Sequence, residues 1–292
     1  MGRLELGAHT LPYRAFPLAR ALEGIARAGF RYVGIWNEHA GAPLVPWDAG
    51  PSVMQAVRRQ IEASGLIARM AFRFPAANGE PSEPAAALRR TIEVGAELGV
   101  PFVLSSGPSP YRKGFGERKR DMLFHREAQV YFAALREAAP LAERAGVTIV
   151  IKPHMGVTGT GEDLADIVEL IDHPHVRICY DAGNVAFYEG LQPTEDVQAC
   201  ARYVCAVCVK DHRGPRFHPD FPTPGEGDVD HAQVFRTLVE AGFSGPCLVE
   251  RVDGQQRAAD MPAATIDAAL EQARRSLEGA AERAHAGGAV RA

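Results

Sequence analysis

A helix-ending signal recurs five times along this chain and limits what it can fold into. Each time, an amphipathic run closes on a glycine that an apolar residue follows at once, at Gly29, Gly65, Gly99, Gly146 and Gly242. Such a glycine ends a helix in the left-handed conformation just before a strand begins. The intervals of 36, 34, 47 and 96 residues, the last equal to two units of 48, suit parallel strands joined through helices. The repeating unit is therefore a strand followed by a helix.

Hydrophobic periodicity fills these intervals with eight strands and eight helices. The strands are predicted at 4–8, 31–36, 66–72, 101–105, 147–152, 176–181, 204–210 and 246–250, and the helices at 17–28, 51–64, 84–98, 124–145, 161–171, 194–202, 230–241 and 263–280. An open doubly wound sheet is the alternative, but no GxGxxG follows the first strand. We therefore predict an α/β fold, a single-domain (β/α)8 TIM barrel over residues 1–280, with 281–292 as a flexible tail.

The composition excludes several classes of protein. The 292 residues are 46% hydrophobic and 23% charged, which is typical of a globular chain. A formal charge of −4 lacks the basic excess of a nucleic-acid binder. No apolar run is long enough for a secretory signal or a membrane span, so we expect a cytoplasmic protein without a membrane partner. Five cysteines, an odd number, lie in apolar segments and predict buried thiols rather than disulfides.

Polar side chains are predicted at the carboxyl ends of the barrel strands, where barrel enzymes place their reacting groups. In chain order these ends carry His9, Trp36, Arg73, Ser105 with Ser106, Lys152 with His154, Asp181 with Asn184, Lys210 with Asp211 and His212, and Glu250. Lys152, Asp181 and Glu250 each come directly after an apolar strand, and a charge at that depth needs a partner. Asp181 and Glu250 could share a divalent cation or divide acid and base roles. The alternative is a structural ion pair with Lys152, or a pair of helix N-caps.

Three further signals are weaker. Cys205 and Cys208 form a CxxC, but residues three apart on a strand point to opposite faces. Cys208 is therefore expected in the cavity and Cys205 against a helix. The long segment after the seventh strand carries Arg213 and could clasp an anionic substrate, although Asp230 there also fits an ordinary helix N-cap. The basic run 111–120 suits either a lid over the barrel or a solvated face.

The motifs at these strand ends resemble the xylose-isomerase-like sugar phosphate isomerase/epimerase superfamily, which is related in fold to endonuclease IV. The resemblance covers about residues 4–275 and rests on KPH at 152–154, YDAGN at 180–184, CVKD at 208–211, GEGDVD at 225–230 and LVE at 248–250. It implies a divalent ion held by a Glu, an Asp, a His and a Glu from strands five to eight. Asp181 and Glu250 match the Asp and the last Glu, whereas Lys152 and Cys208 stand where the first Glu and the His are expected.

The resemblance implies an isomerase or epimerase that moves a proton through an enediolate on a sugar, a sugar derivative or a polyol. In one interpretation Asp181, Glu250 and His154 bind Mn²⁺ or Mg²⁺, in preference to Zn²⁺, and the ion polarises the substrate. In the other, Lys152 takes the place of the ion between the two carboxylates and stabilises the enediolate without a metal. Lys152, Lys210 and Glu250 are the predicted catalytic residues.

The predicted substrate-binding residues all lie at or next to a strand end, and they are His9, Trp36, Asn184, Cys208, His212 and Arg213. The expected partner is a small carbohydrate, and the sequence does not decide whether the chain forms a homo-oligomer. Two other functions remain alternatives: a lyase that dehydrates a keto sugar through the same enediolate, and a barrel that binds a sugar without turnover.

Overall fold

Eight parallel strands form a closed barrel, in which each strand pairs with the next along the chain and the last pairs with the first. The strands are β1 Leu4–His9, β2 Tyr32–Ile35, β3 Ile67–Ala71, β4 Phe102–Ser106, β5 Thr148–Lys152, β6 Val176–Tyr180, β7 Val204–Val209 and β8 Gly245–Val249. The structure is a computed structural model, and it describes residues 2–72, 84–107, 125–256 and 258–288. The predicted (β/α)8 barrel is confirmed.

Helices follow the strands around the outside of the barrel. They are α1 Leu18–Arg27, α2 Pro51–Ala63, α3 Pro84–Leu98, α4 His125–Ala145, α5 Gly161–Ile171, α6 Pro193–Cys200, α7 His231–Glu240 and α8 Ala263–Gly288. The five signal glycines have φ angles between 69° and 90°, so each adopts the left-handed conformation that the sequence predicts. None of the helices in the described ranges combines the length and the apolarity that crossing a bilayer requires.

The alternation of side chains along the strands aims four charged residues into the barrel. The interior cluster contains Val150, Cys179, Cys208 and Leu248, one from each of the last four strands. Because side chains on a strand alternate between faces, the residues two positions later point the same way. These residues are Lys152, Asp181, Lys210 and Glu250. The charges therefore form a layer directly above an apolar floor.

A β-bulge changes the predicted orientation of Cys205. The pairing of β6 with β7 matches Ile178 to Val204 and Cys179 to Ala206, which leaves Cys205 as the extra residue. Cys205 consequently packs against the interior cluster next to Ala206 instead of against a helix. The prediction that Cys205 faces a helix is therefore wrong, because the bulge interrupts the alternation on which it depends.

The carboxyl-terminal helix continues beyond its predicted end at residue 280. Helix α8 runs to Gly288, and Ala284 in its added turns is buried. His285 Nε2 lies 3.1 Å from the carbonyl oxygen of Gly2, which ties these turns to the start of the chain. Residues 281–288 are thus helical in the structure, where the sequence predicts a flexible tail from residue 281. Alanines continue the buried face there, and they give a weaker hydrophobic signal than the leucines before them.

Candidate active site

Two lysines and two carboxylates form a ring of four buried charges, which we call the charge ring: Lys152, Asp181, Lys210 and Glu250. Lys152 Nζ lies 2.9 Å from Asp181 Oδ2 and donates a hydrogen bond to Glu250 Oε2. Lys210 Nζ lies 3.3 Å from Asp181 Oδ2 and 2.8 Å from Glu250 Oε1. All four side chains are at most 6% exposed, so each ammonium contacts both carboxylates with little access to bulk water. The ring has no net charge, so the attraction between its members offsets the free-energy cost of burying them.

The YDAGN segment holds the charge ring from one side. After β6 the chain turns into a short helical segment, and Asp181 Oδ1 caps it by accepting a hydrogen bond of 2.9 Å from Asn184 N. The Asn184 side chain donates to the carbonyl oxygen of Pro153 at 2.7 Å and accepts from Lys210 Nζ at 2.8 Å. A Cβ at Gly183 would lie 2.6 Å from the carbonyl oxygen of Lys210, so only glycine allows this approach. Asn184 thus positions Lys210.

Mutual attraction fixes the protonation states of Lys152 and Glu250 in the charge ring. Burial alone disfavours the charged form of Lys152, but the attraction of Asp181 and Glu250 outweighs it and raises the pKa of Lys152 well above its usual value. Burial also opposes ionisation of Glu250, yet Lys152 and Lys210 hold the pKa of that carboxyl well below its usual range. Lys152 is therefore an ammonium and Glu250 a carboxylate near neutral pH.

His9 and Cys208, both predicted to bind substrate, lie in the floor below the charge ring. Both are fully buried, and Cys208 Sγ lies 3.5 Å from His9 Nε2. A Cβ at Gly34 would lie 2.0 Å from His9 Nδ1, so the absence of a side chain there makes room for the imidazole. Burial lowers the pKa of His9 to about 3. These two residues support the ring from below, and neither lines the cavity above it.

A cavity of about 550 Å³ opens above the charge ring at the carboxyl ends of the strands. Its wall includes Lys152, Lys210 and Glu250 of the ring together with the predicted residues Trp36, His154 and Asn184. His154 Nε2 lies 3.1 Å from the Tyr188 hydroxyl, and burial lowers the pKa of His154 to about 3. Burial raises the pKa of Tyr188 to about 12. At neutral pH this pair therefore offers an uncharged imidazole and a phenol to a ligand in the cavity.

His212 and Arg213 do not line the cavity, so the prediction that they bind substrate is not supported by their positions. His212 is buried and its Nε2 lies 2.9 Å from the carbonyl oxygen of His218. Arg213 is exposed and pairs with Asp220 at 3.4 Å. The chain leaves the strand directly after Lys210, so both residues belong to the loop between β7 and α7. Their contacts with His218 and Asp220 stabilise that loop.

The GEGDVD motif belongs to this loop and has a structural role. The Asp211 carboxylate accepts backbone hydrogen bonds from Gly225 at 2.8 Å, Gly227 at 3.0 Å and Val229 at 3.1 Å. A Cβ at Gly227 would lie 2.2 Å from Asp211 Oδ1. Asp230 then caps α7 by accepting from Gln233 N at 3.0 Å, as its spacing predicts.

The cavity wall contains two arginines that the strand ends do not predict, Arg14 and Arg251. Arg251 directly follows Glu250, so it points away from the barrel axis and reaches the cavity from the side. Arg14 lies in the loop between β1 and α1, five residues after His9. Of the other sequence-based expectations, Arg73 and the basic run 111–120 lie outside the described residues.

The charge ring does not suit a divalent cation. Among the described residues, one group of three possible ligands lies close together: Asp181, Cys208 and Glu250, whose ligand atoms are within 4.8 Å of one another. His154, predicted as a ligand, is not part of that group. Each ammonium would repel a divalent ion by roughly 8 kcal/mol at 4 Å with an effective dielectric near 20.

The third member of that group is also a poor ligand. Burial raises the pKa of Cys208 well above its usual value, so its sulfur is a thiol and not the thiolate that binds metals. The spacing is that of a carboxylate and cysteine metal cluster, but both of its carboxylates are already in contact with the two ammoniums.

Two histidines whose pKa is lowered to about 3, His9 and His154, predict a pH dependence of stability. Their pKa values of about 3 in the folded chain lie below the ordinary value of 6.5. As pH falls below about 6.5, these histidines become protonated in the unfolded chain but stay neutral in the folded chain. Each histidine therefore lowers the free energy of unfolding by about 1.4 kcal/mol per pH unit. Urea unfolding between about pH 7 and pH 5 measures this slope. His9→Gln should remove the share of one histidine, and an unchanged slope would contradict the assignment.

Comparison with known proteins places this architecture in a family. The sequence profile of the xylose isomerase-like TIM barrel family matches residues 22–282. An inosose dehydratase of Geobacillus kaustophilus is 31% identical over 132 residues, which cover 40% of this chain and 42% of that protein. An L-ribulose-5-phosphate 3-epimerase of Salmonella paratyphi A is 26% identical over 201 residues, which cover 66% of this chain and 65% of that protein. The matches thus span from about two fifths to two thirds of these relatives.

The fold agrees with that placement. A D-allulose 3-epimerase from Methylomonas superimposes with a TM-score of 0.69 at 20% identity, over 97% of this chain and 99% of that one. The family profile covers 261 of the 292 residues, counted from 22 to 282. The chain therefore belongs to the xylose isomerase-like TIM barrel family.

Proposed function

We propose that this protein is a sugar isomerase or epimerase that moves a proton through an enediolate, with Lys152 and Lys210 supplying the positive charge at the reacting oxygens. One observation carries the proposal: two buried ammoniums each contact both carboxylates at the strand ends. The Mn²⁺ or Mg²⁺ ion expected from the resemblance has no part in it. A fixed ammonium in a site that excludes water stabilises a developing oxyanion strongly.

The two carboxylates divide their roles by position. Glu250 lines the cavity, so its carboxylate can reach a substrate carbon. Asp181 has no exposed surface and contacts both lysines from behind, which makes it a positioning residue. Glu250 is therefore the proposed base that removes the proton next to a substrate carbonyl.

Substrate binding makes Glu250 a stronger base. In the ligand-free protein the two ammoniums depress its pKa. When the carbonyl and hydroxyl oxygens of a sugar draw hydrogen bonds from Lys152 and Lys210, the ammoniums share their charge with the substrate and the pKa of Glu250 rises. The proton then moves to Glu250 while negative charge develops on the oxygen that the lysines hold.

The return of the proton decides the product. Return to the neighbouring carbon gives an isomer, and return to the opposite face of the same carbon gives an epimer. His154 and Tyr188 lie within 3.1 Å of each other on the cavity wall, and the Tyr188 phenol carries the proton that can be given to the opposite face. Glu250 then releases the proton it removed, and Tyr188 regains one from water. If the same enediolate instead expels a hydroxide, which leaves as water with the proton from Glu250, the reaction is a dehydration. The similarity to an inosose dehydratase keeps that reaction as the second candidate.

Metal analysis tests the proposal most directly. The protein purified without chelator and loaded with excess Mn²⁺ or Mg²⁺ should retain less than about a tenth of an equivalent after gel filtration, because both carboxylates are already neutralised. Turnover of a ketose panel, followed by chromatography and mass, should be the same with and without EDTA. A product lighter by one water identifies the dehydratase, whereas binding without any product would favour the non-catalytic alternative.

Lys152→Glu is the positive control for the metal measurement. It removes one ammonium and restores the carboxylate that the family resemblance implies at this position. Retention of Mn²⁺ should therefore rise above that of the wild-type protein. A wild-type protein that holds a full equivalent and loses activity in EDTA would overturn the metal-free proposal.

A further inference from the structure

The cavity is positively charged although the chain as a whole is not. Its described wall contains four cationic side chains, Arg14, Lys152, Lys210 and Arg251, and two anionic ones, Glu250 and Asp253. The net charge of the wall is therefore +2, and it falls to +1 when the buried Asp181 behind the wall is included. The formal charge of the whole chain is −4. A cleft whose sign opposes that of its protein concentrates ligands of the other charge.

Arg251 is held rigidly at this wall. Its Nε and Nη2 donate to the two carboxylate oxygens of Asp253 at 2.8 and 2.6 Å, which fixes the plane of the guanidinium. Its Cζ lies 3.9 Å from the centroid of the Phe221 ring. Phe221 and Gly254 exchange backbone hydrogen bonds of 3.0 and 2.8 Å, so the loops after β7 and β8 are joined beside the arginine.

This clamp leaves donors available to a ligand. Within the described part of the chain, no residue accepts a hydrogen bond from Arg251 Nη1 and none forms an ion pair with Arg14. A guanidinium whose orientation is fixed loses little entropy when it binds a carboxylate or a phosphate.

We propose that the sugar accepted by this site carries an anionic group, a carboxylate or a phosphate, which Arg251 and Arg14 bind at the wall of the cavity. The inference rests on the proposed function for the carbohydrate part of the substrate and adds the class of that substrate. The charge ring holds the reacting oxygens, and the two arginines hold the far end of the same molecule. Binding energy from a remote group of this kind orients the reacting carbon.

A matched set of three sugars tests the inference by binding alone. D-Fructose, D-fructuronate and D-fructose 6-phosphate carry a hydroxyl, a carboxylate and a phosphate at the same carbon. Calorimetry should show at least one of the anionic sugars binding about 10- to 100-fold more tightly than fructose. The preferred member identifies the anion as carboxylate or phosphate. The preference should shrink as NaCl is raised.

Two variants locate the effect. Arg251→Met should remove most of the anion preference while the Kd for fructose changes by less than about twofold. Arg202→Met is the matched control, because Arg202 is an exposed arginine that pairs with Glu169 and does not line the cavity. It should leave all three affinities unchanged.

Three results would overturn the inference: equal affinity for all three sugars, no binding of either anionic sugar, or an equal loss for all three in Arg251→Met. Because binding is measured without turnover, these results separate it from the proposed function. An enzyme that converts a neutral ketose and shows no anion preference keeps the charge-ring chemistry and loses this inference. An anion preference together with metal-dependent turnover would support this inference and overturn the charge-ring chemistry.

Discussion

Replacing Lys152 with methionine should lower kcat by about 10²- to 10³-fold, because it removes a fixed cation from the oxygen on which negative charge develops. KM should change much less, since the remaining cavity wall still binds the sugar. The measurement is steady-state turnover on the ketose that the panel identifies. Lys210→Met should show a loss of similar size, because its ammonium makes the same two carboxylate contacts.

A variant that keeps the positive charge at residue 152 is the control for this prediction. The chain has 32 basic residues but only four lysines, and two of those four are in the charge ring. Lys152→Arg keeps the charge and replaces a compact ammonium with a planar guanidinium too wide for the space between two carboxylates. It should therefore be nearly as inactive as Lys152→Met. Wild-type kcat in Lys152→Met, with the fold intact by circular dichroism, would exclude the lysine from the chemistry.

Asp181→Asn should lower the free energy of unfolding by about 3–5 kcal/mol, because it leaves two buried ammoniums with a single carboxylate. The asparagine oxygen can still cap the turn that begins at residue 182, so the loss reports the charge rather than the cap. Denaturation in urea measures the change. Glu62→Gln removes a carboxylate from an exposed ion pair with Arg58 and should cost less than about 1 kcal/mol.

A double variant separates charge imbalance from lost packing. Asp181→Asn combined with Lys210→Met restores a neutral ring of one ammonium and one carboxylate. It should be more stable than the sum of the two single changes predicts, by about 0.5–3 kcal/mol. Strict additivity would mean that the four charges are not coupled.

Much of the fold and part of the site could be predicted from local patterns in the sequence. Glycine-ended helices and apolar strands gave the barrel, because each signal depends on residues that are close in sequence. Alternation along the strands brought Asp181 and Glu250 to one place, where both contact Lys152. Whether they carry the reaction stays a prediction.

The features that sequence reasoning missed depend on contacts between distant segments. Arg251 faces the cavity because Asp253 and Phe221 hold it there, and Phe221 comes from a different loop. Lys210 is predicted as a catalytic residue from its strand end, but its simultaneous contacts with Asp181 and Glu250 follow from the closure of the barrel. Cys205 turns inward because of a bulge that shows only in the pairing of two strands.

The placement of the charge ring bears on how such a site changes in evolution. Each ring residue lies two positions after an interior apolar residue, so the backbone fixes where the side chain points whatever that side chain is. Lysine and glutamate codons differ by a single base. One point mutation at residue 152 can therefore reverse the charge at a fixed place in the barrel. A descendant of a metal enzyme could in this way keep its scaffold and exchange an external cation for one encoded in its own gene.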